Sequence, residues 1–210
     1  MKTAIFSDIH GNLSALETVL DNIKEQNVDR ILCLGDLVEG GDHNDAVVDI
    51  IRKNDYQTVI GNHDEINDCI LTQSNQEWLS NLPENIIEKN ILFTHVSPRR
   101  KKRLIISSDI EAWNVFDEEN FRLCFIGHTH SPVIYGDKNN SFGEAKTYDM
   151  DEGIFCMKNN DRYIISFGAV GYPRNGGIYI RYGIFDDQEN TVEFIKLNGF
   201  LLPYGSNTQY

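Results

Sequence analysis

The chain is poor in the features that mark secreted scaffolds, membrane spans and binders of long polyanions. Only four cysteines occur in 210 residues, Cys33, Cys69, Cys124 and Cys156, and no two form a Cys-x-x-Cys pair. Cys33 and Cys124 lie in apolar runs and read as small buried hydrophobes rather than ligands. No apolar stretch approaches the ~20 residues needed to cross a bilayer, and no apolar signal region precedes the first motif. Basic side chains are also scarce, 19 against 32 acidic ones, for a net charge of -13. Such a surface repels phosphate backbones at long range, so neither long nucleic acid nor an anionic membrane is an expected partner. Internal repeats, low-complexity tracts and linkers are missing as well. These absences predict one domain over residues 1–204, a loose tail over 205–210 and a reducing, bacterial-type cytoplasm. Nothing in the sequence sets the oligomeric state.

What is present is a 40% hydrophobic chain, enough for a substantial core. Its first half alternates strands and helices. Residues 3–7, 30–34 and 56–60 read as short apolar strands. Asn12 is placed to cap a helix whose Leu13, Leu16, Val19, Leu20 and Ile23 recur at helical spacing. Residues 43–53 read as a second helix, with Val47, Ile50 and Ile51 inward. Residues 86–93 read as two strands turning at Lys89-Asn90, and 123–126 as a further strand. From Val133 onward strands dominate, at 134–135, 154–155, 163–167, 178–185 and 191–197, with polar turns between them. The early alternation predicts parallel pairing.

Five of the six histidines cluster in short motifs at the ends of these strands. Asp8-Ile9-His10 follows the first, Gly35-Asp36 the second and Gly61-Asn62-His63-Asp64 the third. His95 follows residues 91–94, and Gly127-His128-Thr129-His130 follows 123–126. Open α/β sheets bind ligands beyond the carboxyl ends of their strands, so residues far apart in sequence can converge there. The inventory is two carboxylates (Asp8, Asp36), an amide oxygen (Asn62) and four imidazoles (His10, His95, His128, His130). Such nitrogen and oxygen donors suit Mn, Fe, Zn, Co or Ni. Seven donors are too many for one ion but furnish two divalent ions sharing a carboxylate, which can activate a bridging hydroxide for in-line attack on phosphorus. Two such ions, less the two carboxylates and the hydroxide, leave about one positive charge to meet a phosphodiester. His63 is surplus to the donor count and reads as the general acid for the leaving oxygen, with neighbouring Asp64 as its orienting carboxylate.

Together these motifs resemble the signature of the calcineurin-like metallophosphoesterases, in order and spacing from Met1 to about Pro132. Gly168 to Arg174 resembles a closing motif of the small bacterial phosphodiesterases of that superfamily. The resemblance implies two mixed β-sheets packed as a sandwich flanked by helices. It implies that Asp8, His10, Asp36 and His130 hold one metal, with Asp36 bridging, and that Asn62, His95 and His128 complete the other. His63 would be the proton donor, and manganese the expected metal. Two departures stand out. Many members carry Asp-Arg shortly after Gly-Asp, whereas residues 37–42 here contain no arginine, which argues against phosphoprotein substrates. Ala169 stands where close relatives tend to have serine.

Other side chains are ambiguous. The basic run 99–103 follows His95 and reads as a solvated loop or, through Arg99, as a rim that steers an anionic substrate. Arg174 divides between a phosphate contact and a structural turn. Trp78 and Trp113 read as helix-packing residues rather than base-stacking ones. His43 reads as a surface residue at a helix start. The expected activity is therefore metal-dependent hydrolysis of a small phosphodiester. Its rivals are hydrolysis of a phosphoanhydride such as a dinucleoside polyphosphate, hydrolysis of a phosphomonoester, or an interaction scaffold on the same fold.

Overall fold

The computed structural model of the chain describes residues 1–98, 104–137, 145–174 and 177–203. The basic run 99–103 and the tail 205–210 lie outside the described residues. Strands β1 (Lys2–Phe6), β2 (Arg30–Cys33) and β3 (Gln57–Thr58) alternate with helices α1 (Leu13–Glu25) and α2 (Asn44–Lys53). Helices α3 (Asn62–Glu65) and α4 (Gln73–Ser80) lead to the hairpin β4 (Asn85–Glu88) and β5 (Ile91–Thr94). Helix α5 (Asp109–Glu118) precedes β6 (Leu123–Phe125), β7 (Pro132–Asp137) and β8 (Ala145–Tyr148). Strands β9 (Gly153–Cys156), β10 (Arg162–Phe167), β11 (Ile180–Asp186) and β12 (Thr191–Leu197) follow.

These strands form two mixed six-stranded sheets. The first has the order β3-β2-β1-β11-β12-β9, with β1, β2 and β3 parallel to one another. The second has the order β4-β5-β6-β10-β7-β8, with β5, β6 and β10 parallel. Period-two alternation assigns each strand's side chains to two different cores. Ile5 and Leu32 join Leu123, Phe125, Tyr163 and Ile165 between the sheets. Ala4, Phe6 and Cys33 turn the other way, onto Leu16, Val19 and Ile23 of α1 and Val47, Val48 and Ile51 of α2. On the outer face of the second sheet, Cys124 and Ile164 meet Ala112, Val115 and Phe116 of α5. Both buried thiols are thus packing residues.

The local signals explain most element ends. Asn12 accepts the Ala15 N–H at 3.1 Å and starts α1. The hairpin turns at Lys89-Asn90, with Lys89 at φ 57°. Trp78 and Trp113 pack against the helix-covered cores. Two strands are shorter than their apolar runs. β3 keeps only Gln57 and Thr58 because Ile60 donates its N–H to Pro83 O at 2.9 Å instead of extending the ladder. β11 begins at Ile180, and Ile178 is left exposed.

Phe125 sits at the centre of the inter-sheet core, its ring 5.3 Å from Phe93, 6.0 Å from Phe167 and 5.2 Å from Phe185. Phe125→Ala should lower the unfolding free energy by about 3–5 kcal/mol in a urea titration, because the rigid sheets cannot collapse into the void. Ile154→Ala, at an exposed position of β9, should change it by less than about 0.5 kcal/mol.

Candidate metal centre

The loops beyond β1, β2, β5 and β6 meet at one edge of the sandwich, and their backbone is strained there. Asp8, His10, Asp36, Glu39, His128 and His130 all adopt positive φ, between 52° and 69°. They are six of ten such non-glycine residues among the described residues. Each costs on the order of 1–3 kcal/mol, so surrounding bonds must impose the conformation. Those bonds are visible. Asp8 N donates to Gly35 O, Ile9 N and His10 N to Asp36 O, and Gly11 N to Leu37 O, at 2.8–3.0 Å. Val170 N and Gly171 N tie the same loop to the 168–172 segment. At Gly61, an added Cβ would lie 2.1 Å from Asp36 Oδ1, so only glycine fits.

The side chains converge into two groups that share Asp36. Donor atoms of Asp8, His10, Asp36 and His130 lie within 4.8 Å of one another, as do those of Asp36, His95 and His128. His130 Nε2 is 3.1 Å from Asp8 Oδ1, and His10 Nε2 is 3.2 Å from His130 Nε2 and 3.7 Å from Asp36 Oδ2. Asn62 Oδ1 joins the second group, 2.8 Å from His128 Nδ1. The other three imidazoles are oriented by main chain. Nδ1 of His10 donates to Glu39 O at 2.7 Å, that of His95 to Leu34 O at 2.6 Å, and that of His130 to Tyr172 O. A carbonyl only accepts, so each Nδ1 carries a proton and each ring turns Nε2 inward, the nitrogen that can offer a lone pair to an ion. Ser7 Oγ donates to Asp8 Oδ2, which leaves Oδ1 toward the histidines.

Two buried atoms of the centre suit a cation. Asp36 Oδ2 and His95 Nε2 are 3.0 Å apart but misaligned, and neither has a hydrogen-bond partner. A carboxylate oxygen and an imidazole nitrogen buried without partners are costly unless an ion takes up their lone pairs. Without an ion, the groups balance one another's charge. Burial opposes ionisation of Asp8, yet His130, His95 and His10 hold its carboxyl far below the usual range. Burial likewise opposes ionisation of Asp36, but His95 and then His10 bring it to about 2. His95 is burdened by burial and nevertheless lifted to about 9 by Asp36 and Asp8. His128 falls to about 4 through burial and the charge of His95.

His63 stands at the edge of these groups. Its backbone N–H donates to Asp36 Oδ1 at 2.9 Å, and its ring lies edge-on to His10 at 5.1 Å. The carboxylate that meets its Nδ1 is Glu39, at 2.6 Å, not Asp64. Asp64 turns inward, where Oδ2 accepts from Gly61 N and Asp36 N and Oδ1 from Leu37 N and Val38 N, at 2.7–3.3 Å. Burial, then the charge of Asp36, pushes its carboxyl up to about 6. Asp64 thus fastens the Asp36 loop rather than His63. Arg174 lies close enough to His128 to lower its pKa. Arg99 falls outside the described residues.

Comparison with known proteins fits this geometry. The family model of the calcineurin-like phosphoesterase superfamily domain matches residues 1–189. The chain belongs to the calcineurin-like phosphoesterase superfamily. A metallophosphoesterase from Sphaerobacter thermophilus superposes with a TM-score of 0.84 at 30% identity, over 95% of this chain and 90% of that one. An uncharacterized protein of Methanocaldococcus jannaschii is 30% identical over 92% of this chain and 86% of its own length. A symmetrical bis(5'-nucleosyl)-tetraphosphatase of Haemophilus ducreyi is 39% identical over 67 residues, 30% of this chain and 25% of that protein. As a calcineurin-like phosphoesterase, the chain is a phosphoester-hydrolysing enzyme whose family uses divalent metal ions. No helix among the described residues is long and apolar enough to cross a membrane.

Asp64→Ala should strand buried N–H groups and lower the stability of the metal-free protein by about 3 kcal/mol in urea. Asp64→Asn, which keeps one acceptor oxygen, should cost less in the same titration.

Proposed function

We propose that this enzyme hydrolyses a small phosphodiester with two divalent transition metal ions, manganese being the first to test. The observation that carries the reading is the pair of donor groups that share Asp36, with His63 beside them. Asp8, His10, Asp36 and His130 would hold one ion, and Asp36, Asn62, His95 and His128 the other. When bound, the ions would supply an activated water and neutralise charge on the phosphoryl oxygens. His63 delivers a proton from Nε2 to the leaving oxygen, while Glu39 takes its Nδ1–H and sets the plane of the ring. Arg174, whose guanidinium makes no hydrogen bond or ion pair among the described residues, is available to a phosphoryl oxygen. A loop without arginine beyond Asp36 weakens a phosphoprotein-phosphatase reading. The local likeness to a bis(5'-nucleosyl)-tetraphosphatase keeps phosphoanhydride hydrolysis as the second reading.

The direct test is hydrolysis of bis-p-nitrophenyl phosphate by EDTA-stripped protein, with and without Mn²⁺, beside p-nitrophenyl phosphate and diadenosine tetraphosphate. Turnover that returns with metal and favours the diester is expected. Faster release of product from the tetraphosphate would replace the diester reading by the anhydride one. Asp36→Ala should lose bound metal and activity together. His63→Ala should retain metal by elemental analysis and lose about 10²–10⁴-fold in kcat. Loss of metal in that variant would mean that His63 is a ligand instead.

The pH dependence has a definite sign. His95 lies at about 9 in the metal-free protein, so its proton must leave before Nε2 can accept an ion. Mn²⁺ affinity should therefore rise with pH from neutrality to about 9. Calorimetric titration near pH 7 in buffers of different ionisation enthalpy should register about one proton released from this residue. An affinity independent of pH across that window would contradict the assignment of His95.

A further inference from the structure

Glu39 holds a backbone conformation that disfavours its own side chain. Its φ of 69° is left-handed, although glycine, which adopts that region freely, fills the next two positions. The main chain is pinned on both sides of the residue. Glu39 N donates to Asn44 Oδ1 at 2.9 Å, and Glu39 O accepts from His10 Nδ1 at 2.7 Å. The carboxylate is thereby aimed at His63, whose Nδ1 donates to Oε2 at 2.6 Å, while 45% of the Glu39 side chain stays open to solvent. The surroundings share its sign. No lysine or arginine occurs in residues 31–51 or 54–88, the segments that carry Asp36, Glu39 and His63. Asp68 comes close enough that it and Glu39 both act on the Cys69 thiol. Glu39 pairs with no lysine or arginine among the described residues. Arg174 stands by His128, in the other donor group. The centre is therefore polarised, with an arginine by His128 and carboxylates by His63.

We propose that Glu39 determines leaving-group specificity: its carboxylate, across the imidazole of His63 from the reacting oxygen, admits an uncharged or cationic leaving alcohol and rejects a negatively charged one. This rests on the phosphodiester reading above and names the leaving-group class of that site. With hydrogen bonds of ordinary length at both ring nitrogens, the carboxylate lies roughly 6–7 Å from the leaving oxygen. Before reaction the imidazolium masks its charge. As the oxygen of water bonds to phosphorus, the P–O bond to the leaving group breaks and its electron pair stays on the leaving oxygen. The Nε2 proton passes to that oxygen, and the ring becomes neutral with Nδ1–H still on Glu39. The carboxylate is then uncompensated as the alcohol departs. A second anion at this range near a protein surface is opposed about 10-fold or more. A polyphosphate leaving group meets the same repulsion. Glutamine at this position would still accept the Nδ1–H through Oε1 and keep the ring plane, so only the charge would be lost.

The test compares kcat/KM of the Mn²⁺-loaded enzyme for two methyl aryl phosphates. One releases 4-nitrophenol and the other its carboxylated counterpart, 5-hydroxy-2-nitrobenzoate. In Glu39→Gln the rate of the carboxylated ester relative to the plain one should rise about 10-fold, and by less in about 0.5 M NaCl. Absolute rates of both esters fall together when His63 loses its anionic partner, so the ratio isolates the charge. Glu39→Ala, which also frees the ring, should shift the ratio alike and lower both rates further. Glu189→Gln, in the turn between β11 and β12 at the opposite edge of the sheet, should leave the ratio unchanged. The order should hold without turnover: by NMR, the carboxylated phenol gains affinity over 4-nitrophenol in metal-free Glu39→Gln. An unchanged ratio in Glu39→Gln by either readout, or an equal shift in Glu189→Gln, overturns the proposal. The corresponding aryl monoesters carry the same leaving groups and separate the two readings. Metal-restored diester turnover with an unchanged ratio sinks the role of Glu39 alone. A shifted ratio in the monoesters without diester turnover upholds Glu39 and sinks the phosphodiester reading. Faster cleavage of diadenosine tetraphosphate than of the diesters, or no turnover of any ester, sinks both.

Discussion

Every polar atom of Asp36 but one is committed to a hydrogen bond. Its carbonyl accepts from Ile9 N and His10 N, and its own N–H goes to Asp64. One carboxylate oxygen takes the His63 N–H, and the other lies among His10 and His95 without a partner. A single buried residue thus fixes the β1 loop, the β3 loop and the position of His63, and belongs to both donor groups. The rest of the centre is arranged to tolerate that residue. Asp64 makes its backbone conformation obligatory, and Gly61 makes room for its side chain. His95 compensates its charge when no cation is present.

That arrangement is expensive in local strain and burial. Positive φ at six residues and two orphaned polar atoms are defects by the standards of a core. They persist because the sandwich behind them is packed without compromise. Ile5, Leu32, Leu123 and Phe125 are each fully buried, three to five residues before the strained Asp8, Asp36 and His128. The division of labour follows the chain direction: apolar strand first, then glycine, serine or threonine, then the donor. Each strand brings its donor to the same edge because β1, β2 and β3 run parallel in one sheet, and β5 and β6 do so in the other.

This is also why so much was legible in advance. Period-two apolar runs revealed the strands, and a polar motif directly after each revealed the edge where they would meet. All seven expected donors do converge. What was not legible depended on contacts between loops. Adjacency suggested Asp64 as the partner of His63, but α3 rotates consecutive side chains by roughly 100°, and Asp64 ends up under the Asp36 loop. Glu39 was hidden because its approach to His63 requires a left-handed backbone that glutamate seldom adopts. The segment after β12 carried no motif, yet Leu202 N bonds Gly171 O and Asn12 Nδ2 bonds Phe200 O, which closes one side of the centre. β3 looked longer than it is because apolar character says nothing about where an N–H will find its acceptor.

The two donor groups also have a mechanical meaning. In each, the carboxylate or carboxylates come from loops of the first sheet, while His130 in one and His95 and His128 in the other come from loops of the second. A divalent ion in either position is therefore a cross-link between layers that otherwise adhere through apolar contact and a few polar bridges such as Arg30 to Glu88. Peeling the sheets apart at this edge would require coordination bonds to rupture before the aromatic interior could admit water. Occupancy would then act as a clasp on the sandwich, slowing its opening at the edge where the loops are most strained and leaving the opposite edge to unfold first.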